Sequence, residues 1–224
     1  QELIEFADMI LSAHDAAMQR FQGSTLSGLI RLGTTDDVAA DRAVGIAGRF
    51  RWAHPGIRLQ VRVSSSLKVA EWVDEGAIDL AVMPVEAANV RQNDFTLWSE
   101  PLCVVQAKES DFSIQDALPL VSFGSRCFYG GIAGALLEDA GIAYDNALES
   151  ASIAGVCAAV SAGFGVALMN ASFMSDDQCE WSGASELPAP PDIHYVLRAA
   201  RLPLTAAQES LVAELRGSVP LTAE

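Results

Sequence analysis

LSGLIRLGTTDD, residues 26–37, decides the fold because a β-prone run passes directly into a helix start. Residues 29–32 are the candidate strand, and Gly33 permits a tight exit from it. The polar residues that follow offer side-chain oxygens to cap a helix: Thr34, Thr35 and Asp36. The first amides of a helix lack internal partners and carry partial positive charge, so they can bind carboxylate, phosphate or sulfate oxygens. The stretch therefore predicts either a ligand-binding turn or an ordinary helix cap.

Downstream of this stretch, the apolar periodicity alternates between that of a helix and that of a strand. A helix is predicted over residues 36–53, followed by the breaker His-Pro-Gly at 54–56 and an alternating strand over 57–63. A second helix over 64–76 leads into the apolar run 77–83, which is typical of a strand buried on both faces. Strands and helices in this order predict an α/β domain.

A second block of the chain has the same order of elements. Strands are predicted over 118–123, 144–149 and 166–169, and the helices between them end near 141 and 162. Two extended connections join the blocks, at 97–107 and 193–199, and two crossings of this kind predict two lobes around a hinge. An irregular loop and a closing helix complete the pattern, at 175–192 and 205–216.

The predicted units are a linker helix and two doubly wound lobes. Residues 1–21 place apolar side chains at helical steps, so they indicate one amphipathic helix that pairs with another helix or packs on its own domain. The linker helix is assigned to 1–23, the first lobe to 24–104 and 196–224, and the second lobe to 105–195.

Composition limits the function classes. The 224 residues carry 29 acidic and 14 basic side chains, and the net charge of −15 would repel nucleic acid and anionic membranes. No apolar run is long enough for a transmembrane helix, and the acidic first 21 residues do not resemble an export signal. The four cysteines are widely spaced, as expected of free thiols in a reducing compartment. We therefore expect a cytoplasmic chain that does not itself bind DNA or membranes.

Five segments, in this order and spacing, resemble the effector-binding region of the bacterial LysR-type transcriptional regulators. They are GLIRLGTTDD (28–37), FRWAHPGIRLQVRV (50–63), VAEWVDEGAIDLAVM (69–83), EPLCVVQAKES (100–110) and AAVSAGFGVALMN (158–170). The resemblance implies a two-lobed α/β fold like that of type 2 periplasmic binding proteins, preceded by the end of a linker helix. Family members often have proline where this chain has Asn170.

The resemblance also implies partners. Residues 1–21 would join a winged helix-turn-helix domain, which this sequence lacks, so the chain is expected to be a piece of a longer regulator that contacts DNA only through that domain. The subunits would form a homodimer or homotetramer through the 36–53 helix and the 57–63 strand. Contact area there could come from Val44, Ile46, Phe50 and Trp52. No cofactor and no metal are expected.

The ligand site is predicted where the turns after the strands converge on one cleft. The candidate effector-binding residues are Thr34, Thr35, Asp36, Ser64, Ser65, Met83, Pro84, Phe123, Ser125, Arg126, Phe128, Ser150 and Ser152. This set suits a small ligand with a carboxylate or other acceptor oxygens, and the segment FGSRCFYGG (123–131) is the most distinctive part.

Three of the side chains near this site have two interpretations each. Arg126 either binds a carboxylate in bidentate fashion or is a solvated surface charge. Asp36 either faces the cleft, where it would favour an amine or hydroxyl group, or only caps a helix. Cys127 is either a small buried side chain or a redox-active thiol.

A sensor is the leading functional hypothesis, in which a metabolite binds between the lobes and changes their arrangement. A solute-binding component of a transporter would use the same closure. An enzyme is the third class, with Asp36, Asp37 and Arg126 as acid-base candidates. The sequence contains no GxSxG, HExxH, GxxxxGK[ST] or post-strand GxGxxG motif, and its three histidines have no metal-ligand spacing: His14, His54 and His194.

Overall fold

The opening stretch forms β1 (Gly28–Thr34), which lies inside a five-stranded sheet. A computed structural model describes residues 26–38, 43–114, 116–124 and 127–217. The predicted linker helix at 1–23 lies outside the described residues, as do positions 39–42 of the predicted helix 36–53.

The first sheet has the order β2-β1-β3-β10-β4. β1 pairs in parallel with its neighbours on both sides, whereas β10 is antiparallel to β3 and β4. Its other strands are β2 (Ile57–Val63), β3 (Leu80–Glu86), β4 (Phe95–Glu100) and β10 (Ile193–Ala199). β3 begins three residues later than predicted because the turn before it is held by Asp79, whose Oδ2 accepts a 2.7 Å hydrogen bond from the Arg31 backbone amide.

Helices cover both faces of this sheet, as alternating side chains along the strands require. On one face α2 (Val44–Ala53) and α6 (Ala206–Gly217) pack over the buried side chains Ile30 and Leu32. On the other face α3 (Ser66–Asp74) packs over β1 and β3. A single helical turn, α1 (Asp36–Val38), follows β1 directly. We call this sheet and its helices the first lobe.

The second lobe contains a three-stranded sheet of order β8-β5-β9 and the parallel pair β6-β7. A parallel bridge between Leu120 and Val166 joins the two groups of strands. The helix 128–139 contributes to a hydrophobic cluster that also includes the core of the first lobe, whereas the helix 153–161 contributes to a separate cluster within the second lobe. The elements are β5 (Leu102–Ala107), β6 (Leu118–Ser122), α4 (Phe128–Asp139), β7 (Tyr144–Glu149), α5 (Ile153–Ser161), β8 (Ala167–Asn170) and β9 (Gln178–Glu180).

The chain crosses between the lobes at Pro101 and again between β9 and β10. The predicted strand-rich connection 97–107 consists of two strands of different sheets, because β4 pairs with β10, while β5 pairs with β8 and β9. Pro101 lies between these strands and has no amide hydrogen for a ladder, which accounts for the break. The assigned boundaries at 104/105 and 195/196 fall inside β5 and β10, and the residue bounds of the two lobes stay a prediction.

Two other predictions need correction. The loop assigned to 175–192 contains β9, which extends the second sheet. Phe50 is fully buried and Ile46 is buried in the first lobe, so neither is available for subunit contact, whereas Val44 and Trp52 are exposed.

No described helix has the length and apolar character needed to cross a membrane.

Candidate functional site in the inter-lobe cleft

A cleft of about 770 Å³ lies between the lobes, at the carboxyl ends of β1, β2 and β3. The first lobe supplies mostly polar side chains: Thr35, Asp36, Asp37, Val63, Ser64, Ser65, Ser66, Leu67, Lys68, Glu71 and Pro84. The second lobe supplies mostly apolar ones: Phe123, Gly124, Cys127, Tyr129, Glu149, Ala151, Ile153, Met169 and Phe173. This volume and mixture suit a small polar ligand with an apolar part.

The structure brings six of the candidate residues to the cleft: Thr35, Asp36, Ser64, Ser65, Pro84 and Phe123. Thr34 and Met83 are fully buried within β1 and β3 and do not line it. Phe128 packs against Tyr129, and the Ser150 hydroxyl donates to the Ser152 carbonyl oxygen; none of these three residues lines the cleft. Ser125 and Arg126 lie outside the described residues. Binding of an effector by any of these residues stays a prediction.

The start of α3 presents unsatisfied polar groups to the cleft. The Ser64 amide donates to the Thr34 carbonyl oxygen at 3.1 Å, which fixes the turn between β2 and the helix. Ser65 is the N-cap residue, yet its side chain makes no capping hydrogen bond. The hydroxyls of Thr35 and Ser66 are buried and have no hydrogen-bond partner in the described part of the chain. Because a buried unpaired hydroxyl costs about 1–3 kcal/mol, a ligand oxygen there would be stabilised.

Asp36 connects the lobes. The backbone amide of Ile153, the first residue of α5, donates to Asp36 Oδ2 at 3.0 Å. The two interpretations of Asp36 therefore combine, because the side chain lines the cleft and also caps a helix of the opposite lobe. A carboxylate at this position is favoured by the partial positive charge of the helix N-terminus. The bond to the amide holds the lobes together at one edge of the cleft.

A buried polar network lies at the base of the cleft, next to the crossing at Pro101. We call it the hinge cluster: Asp37, Glu100, Tyr129, Asn170 and Tyr195. The Tyr195 hydroxyl donates to Asp37 Oδ2 at 2.7 Å, and the Tyr129 hydroxyl donates to Asn170 Oδ1 at 2.9 Å. Asn170 Nδ2 donates to the Tyr195 hydroxyl oxygen at 2.6 Å and to Glu100 Oε2 at 2.8 Å. Since its members come from both lobes, the cluster ties the lobes together at the hinge.

The tyrosines of the hinge cluster stay protonated. Burial raises the pKa of both Tyr129 and Tyr195, and the negative charge of Asp37 raises it further. Both hydroxyls are therefore available as hydrogen-bond donors at any physiological pH. Trp98 stacks on Tyr195 with ring centroids 4.4 Å apart, and its Nε1 donates to Glu100 Oε1. Asn170, whose role the sequence left open, is fully buried and links the tyrosines to Glu100.

Several lining residues were not among the candidates. Lys68 and Glu71 follow the N-cap of α3, where the helical period could have placed them on the cleft, and they form an ion pair of 2.6 Å. Glu149 is the last residue of β7, and it could have been predicted because ligands bind beyond the carboxyl ends of strands in α/β sheets. Nothing in the local pattern around Met169 and Phe173 indicates their placement, because both are brought to the cleft by packing of the second lobe.

The Cys127 thiol is half-buried and lines the cleft. Burial raises the pKa of the Cys127 thiol, which keeps it protonated and favours its interpretation as a small buried side chain. Among the described residues, no three His, Cys, Asp or Glu side chains are grouped so that they could hold a metal ion.

Comparison with known proteins places these features in context. A family model described as LysR substrate binding domain matches residues 23–219. HTH-type transcriptional regulator YofA of Bacillus subtilis (strain 168) is 27% identical over 172 residues, which are 75% of this chain and 60% of YofA. HTH-type transcriptional regulator DgdR of Burkholderia cepacia is 26% identical over 223 residues, which are 99% of this chain and 74% of DgdR.

A solved structure shares the fold. The CcmR regulatory domain of Synechocystis PCC6803, in complex with 2-PG, superposes with a TM-score of 0.68 at 15% identity. The match covers 88% of this chain and 99% of that domain. The two-lobed α/β architecture predicted from the sequence is thus confirmed by a known structure of the same fold.

Proposed function

Because the chain belongs to the LysR substrate binding domain family, we propose that it is the effector-sensing part of a transcriptional regulator and that a small metabolite binds in the cleft. The resemblance seen in the sequence is confirmed by the family match. A transport role is not favoured, because the relatives YofA and DgdR are named as transcriptional regulators. The same relatives argue against the enzyme alternative.

The buried hydroxyls of Thr35 and Ser66, which have no hydrogen-bond partner among the described residues, carry the proposal that the cleft binds a ligand. They lie beside the uncapped start of α3, so acceptor oxygens of a ligand would gain hydrogen bonds that no described group of the protein supplies. The CcmR regulatory domain, which has the same fold, was solved with the small molecule 2-PG. A ligand of that size would fit the cleft of this chain.

The signal would be a change in the arrangement of the two lobes. A ligand that contacts both walls binds one arrangement more tightly than the other and shifts the population toward it. The Asp36 bond to Ile153 and the hinge cluster are the inter-lobe contacts that such a change would strain or relax. In this proposal the ligand acts by differential affinity, and no covalent chemistry is needed.

DNA binding and assembly would involve more than this chain. The chain spans 60% of YofA and 74% of DgdR, and we place DNA contact in a helix-turn-helix part outside it. The net charge of −15 fits this division, since this part would be repelled by DNA. We propose a cytoplasmic homo-oligomer in which the exposed side chains of Val44 and Trp52 on α2 contribute contact area.

A thermal-shift screen of metabolites, followed by calorimetry, tests the cleft assignment. A ligand at one hundred times its Kd stabilises the native state by about 2.7 kcal/mol. For a chain of this size that corresponds to a rise in Tm of about 5–11 °C. Thr35→Ala and Ser66→Ala should weaken binding, whereas the exposed control Ser182→Ala should not. A ligand whose affinity is the same in all three variants would disprove the site.

A further inference from the structure

The charged groups of the cleft are unevenly matched. Four carboxylates line it in the described part of the chain, Asp36, Asp37, Glu71 and Glu149, against one amine, that of Lys68. Lys68 is already paired with Glu71 at 2.6 Å, and Asp37 accepts the Tyr195 hydroxyl at 2.7 Å. Among the described residues, neither Asp36 nor Glu149 forms an ion pair with a basic side chain. Two negative charges of the cleft therefore lack a cationic partner among the residues that the structure describes.

The Glu149 carboxylate stands directly at the wall of the cavity. It lies over Gly124, where a Cβ atom would come within 2.5 Å of Glu149 Oε1, and both residues line the cleft. Gly124 has φ +84°, a conformation that other residues rarely adopt, so no side chain at this position separates the carboxylate from the cavity. Glu149 is exposed, and its side chain makes no hydrogen bond to another described residue.

The starts of α3, α4 and α5 line the cleft, and they differ in a way that orients a ligand. The start of α5 already holds the Asp36 carboxylate, 3.0 Å from the Ile153 amide. The start of α3 holds no side-chain cap, and the unpartnered hydroxyls of Thr35 and Ser66 lie beside it. Of these helix starts, that of α3 has two buried hydroxyls beside it that lack a partner in the described part of the chain, so it is the start that favours an anionic group of a ligand.

From this juxtaposition we propose that the ligand is a small zwitterion, with a carboxylate at the start of α3 and an ammonium group near Glu149 and Asp36. The lining of the cleft also includes apolar side chains, among them Val63, Leu67 and Phe123, so the two charges should sit on a compact apolar body. Apolar α-amino acids belong to this chemical class. A dianion would instead bring a second negative charge toward Glu149, at an electrostatic cost. This inference rests on the proposed function.

Matched trios of compounds test the charge requirement. Each trio contains an amino acid, the acid without the amine and the amine without the carboxylate, for example L-leucine, 4-methylpentanoate and 3-methylbutylamine. L-phenylalanine, 3-phenylpropanoate and phenethylamine form a second trio, with further apolar amino acids treated likewise. Calorimetry on the whole chain should find at least one zwitterion that binds at least tenfold more tightly than both singly charged analogues.

Substitution separates a direct role of Glu149 from a structural one. Glu149→Gln should weaken binding of that zwitterion at least fivefold and leave the affinity of its acid analogue unchanged. Asp145→Asn removes an exposed carboxylate from the same strand and should change neither affinity. Equal weakening of the acid analogue by Glu149→Gln would overturn the inference.

The outcomes also distinguish this inference from the proposed function. If dicarboxylates, monocarboxylates or phosphate esters bind in a manner that depends on Thr35 and Ser66, and no zwitterion does, the zwitterion inference is overturned while the sensor function stands. If no compound of any class binds, or if binding is insensitive to both hydroxyls, the proposed function fails as well.

Discussion

Removing one hydroxyl from the hinge cluster should destabilise the fold strongly. In Tyr195→Phe, the ring remains stacked on Trp98, but Asp37 loses its 2.7 Å hydrogen bond. Asn170 Nδ2 also loses its 2.6 Å acceptor, although Glu100 still accepts from the same amide group. The substitution thus removes polar contacts while it keeps the volume of the side chain nearly constant.

The size of the effect follows from the burial of the groups left behind. A hydrogen bond to a charged group contributes about 1.5–3 kcal/mol, and a neutral one adds about 1 kcal/mol. The one other described donor to Asp37 is the Tyr129 hydroxyl, and at 3.4 Å it is too distant to compensate. We expect a loss of about 3 kcal/mol in the free energy of unfolding, which corresponds to a fall in Tm of about 6–12 °C.

Urea unfolding, followed by far-UV circular dichroism, measures this loss. Tyr144→Phe is the matched control, since its hydroxyl is exposed and lies 3.4 Å from Glu138 Oε1, so its removal should cost less than about 0.5 kcal/mol. A Tyr195→Phe variant as stable as the control variant would show that the hydroxyl does not hold Asp37 in the native state.

Three further substitutions test other parts of the fold. Asp94→Ala removes the carboxylate that lies 2.6 Å from the Arg198 guanidinium, which is only 7% exposed. The free energy of unfolding, measured with urea, should fall by about 3–5 kcal/mol. A fall below about 1 kcal/mol would instead be typical of an exposed ion pair and would contradict the prediction. Burial raises the pKa of the Asp79 carboxyl, but the hydrogen bonds and the charge of Arg31 on β1 outweigh this effect and lower that pKa. The Asp79 carboxylate therefore stabilises the native state fully above pH about 4, and this contribution is lost as the pH falls further. Asp79→Asn should therefore flatten the acid limb of a stability profile, and superimposable limbs would contradict this. Gly131→Ala, at an open position of α4, should stabilise the native state by about 0.5–1 kcal/mol. Gly130→Ala should destabilise it, because the new Cβ would clash with the Gly124 backbone oxygen. Thermal melts in which both variants shift the Tm in the same direction would refute the contrast.

Local patterns were sufficient for most elements of the fold. β2 and β7 have the predicted bounds because alternation and the flanking breakers are properties of the segments themselves. The closing helix α6 begins one residue after Thr205, whose hydroxyl accepts the Gln208 amide at 3.3 Å as a capping residue should. Signals within a few residues of the chain thus located these elements.

The parts that could not be predicted depend on partners remote in sequence. The sequence left open whether Asp36 faces the cleft or only caps a helix, and the helix it caps begins 117 residues later. Asp37 was considered only as an acid-base group, because its partner Tyr195 is 158 residues away. Apolar periodicity in the sequence does not predict which distant side chain donates a hydrogen bond to a buried carboxylate. The candidate site was therefore predicted as a place in the fold, and its charge pattern required the structure.

The position of β10 between β3 and β4 has a consequence for synthesis of the protein. β4 is complete at Glu100, but its neighbour begins only at Ile193, about 93 residues later, which the ribosome makes in about 5–20 s. The second lobe is one continuous segment and can pack during that interval. Meanwhile the edges of β3 and β4 stay open to other nascent chains, so slow translation over 101–192 should increase aggregation of the newborn protein.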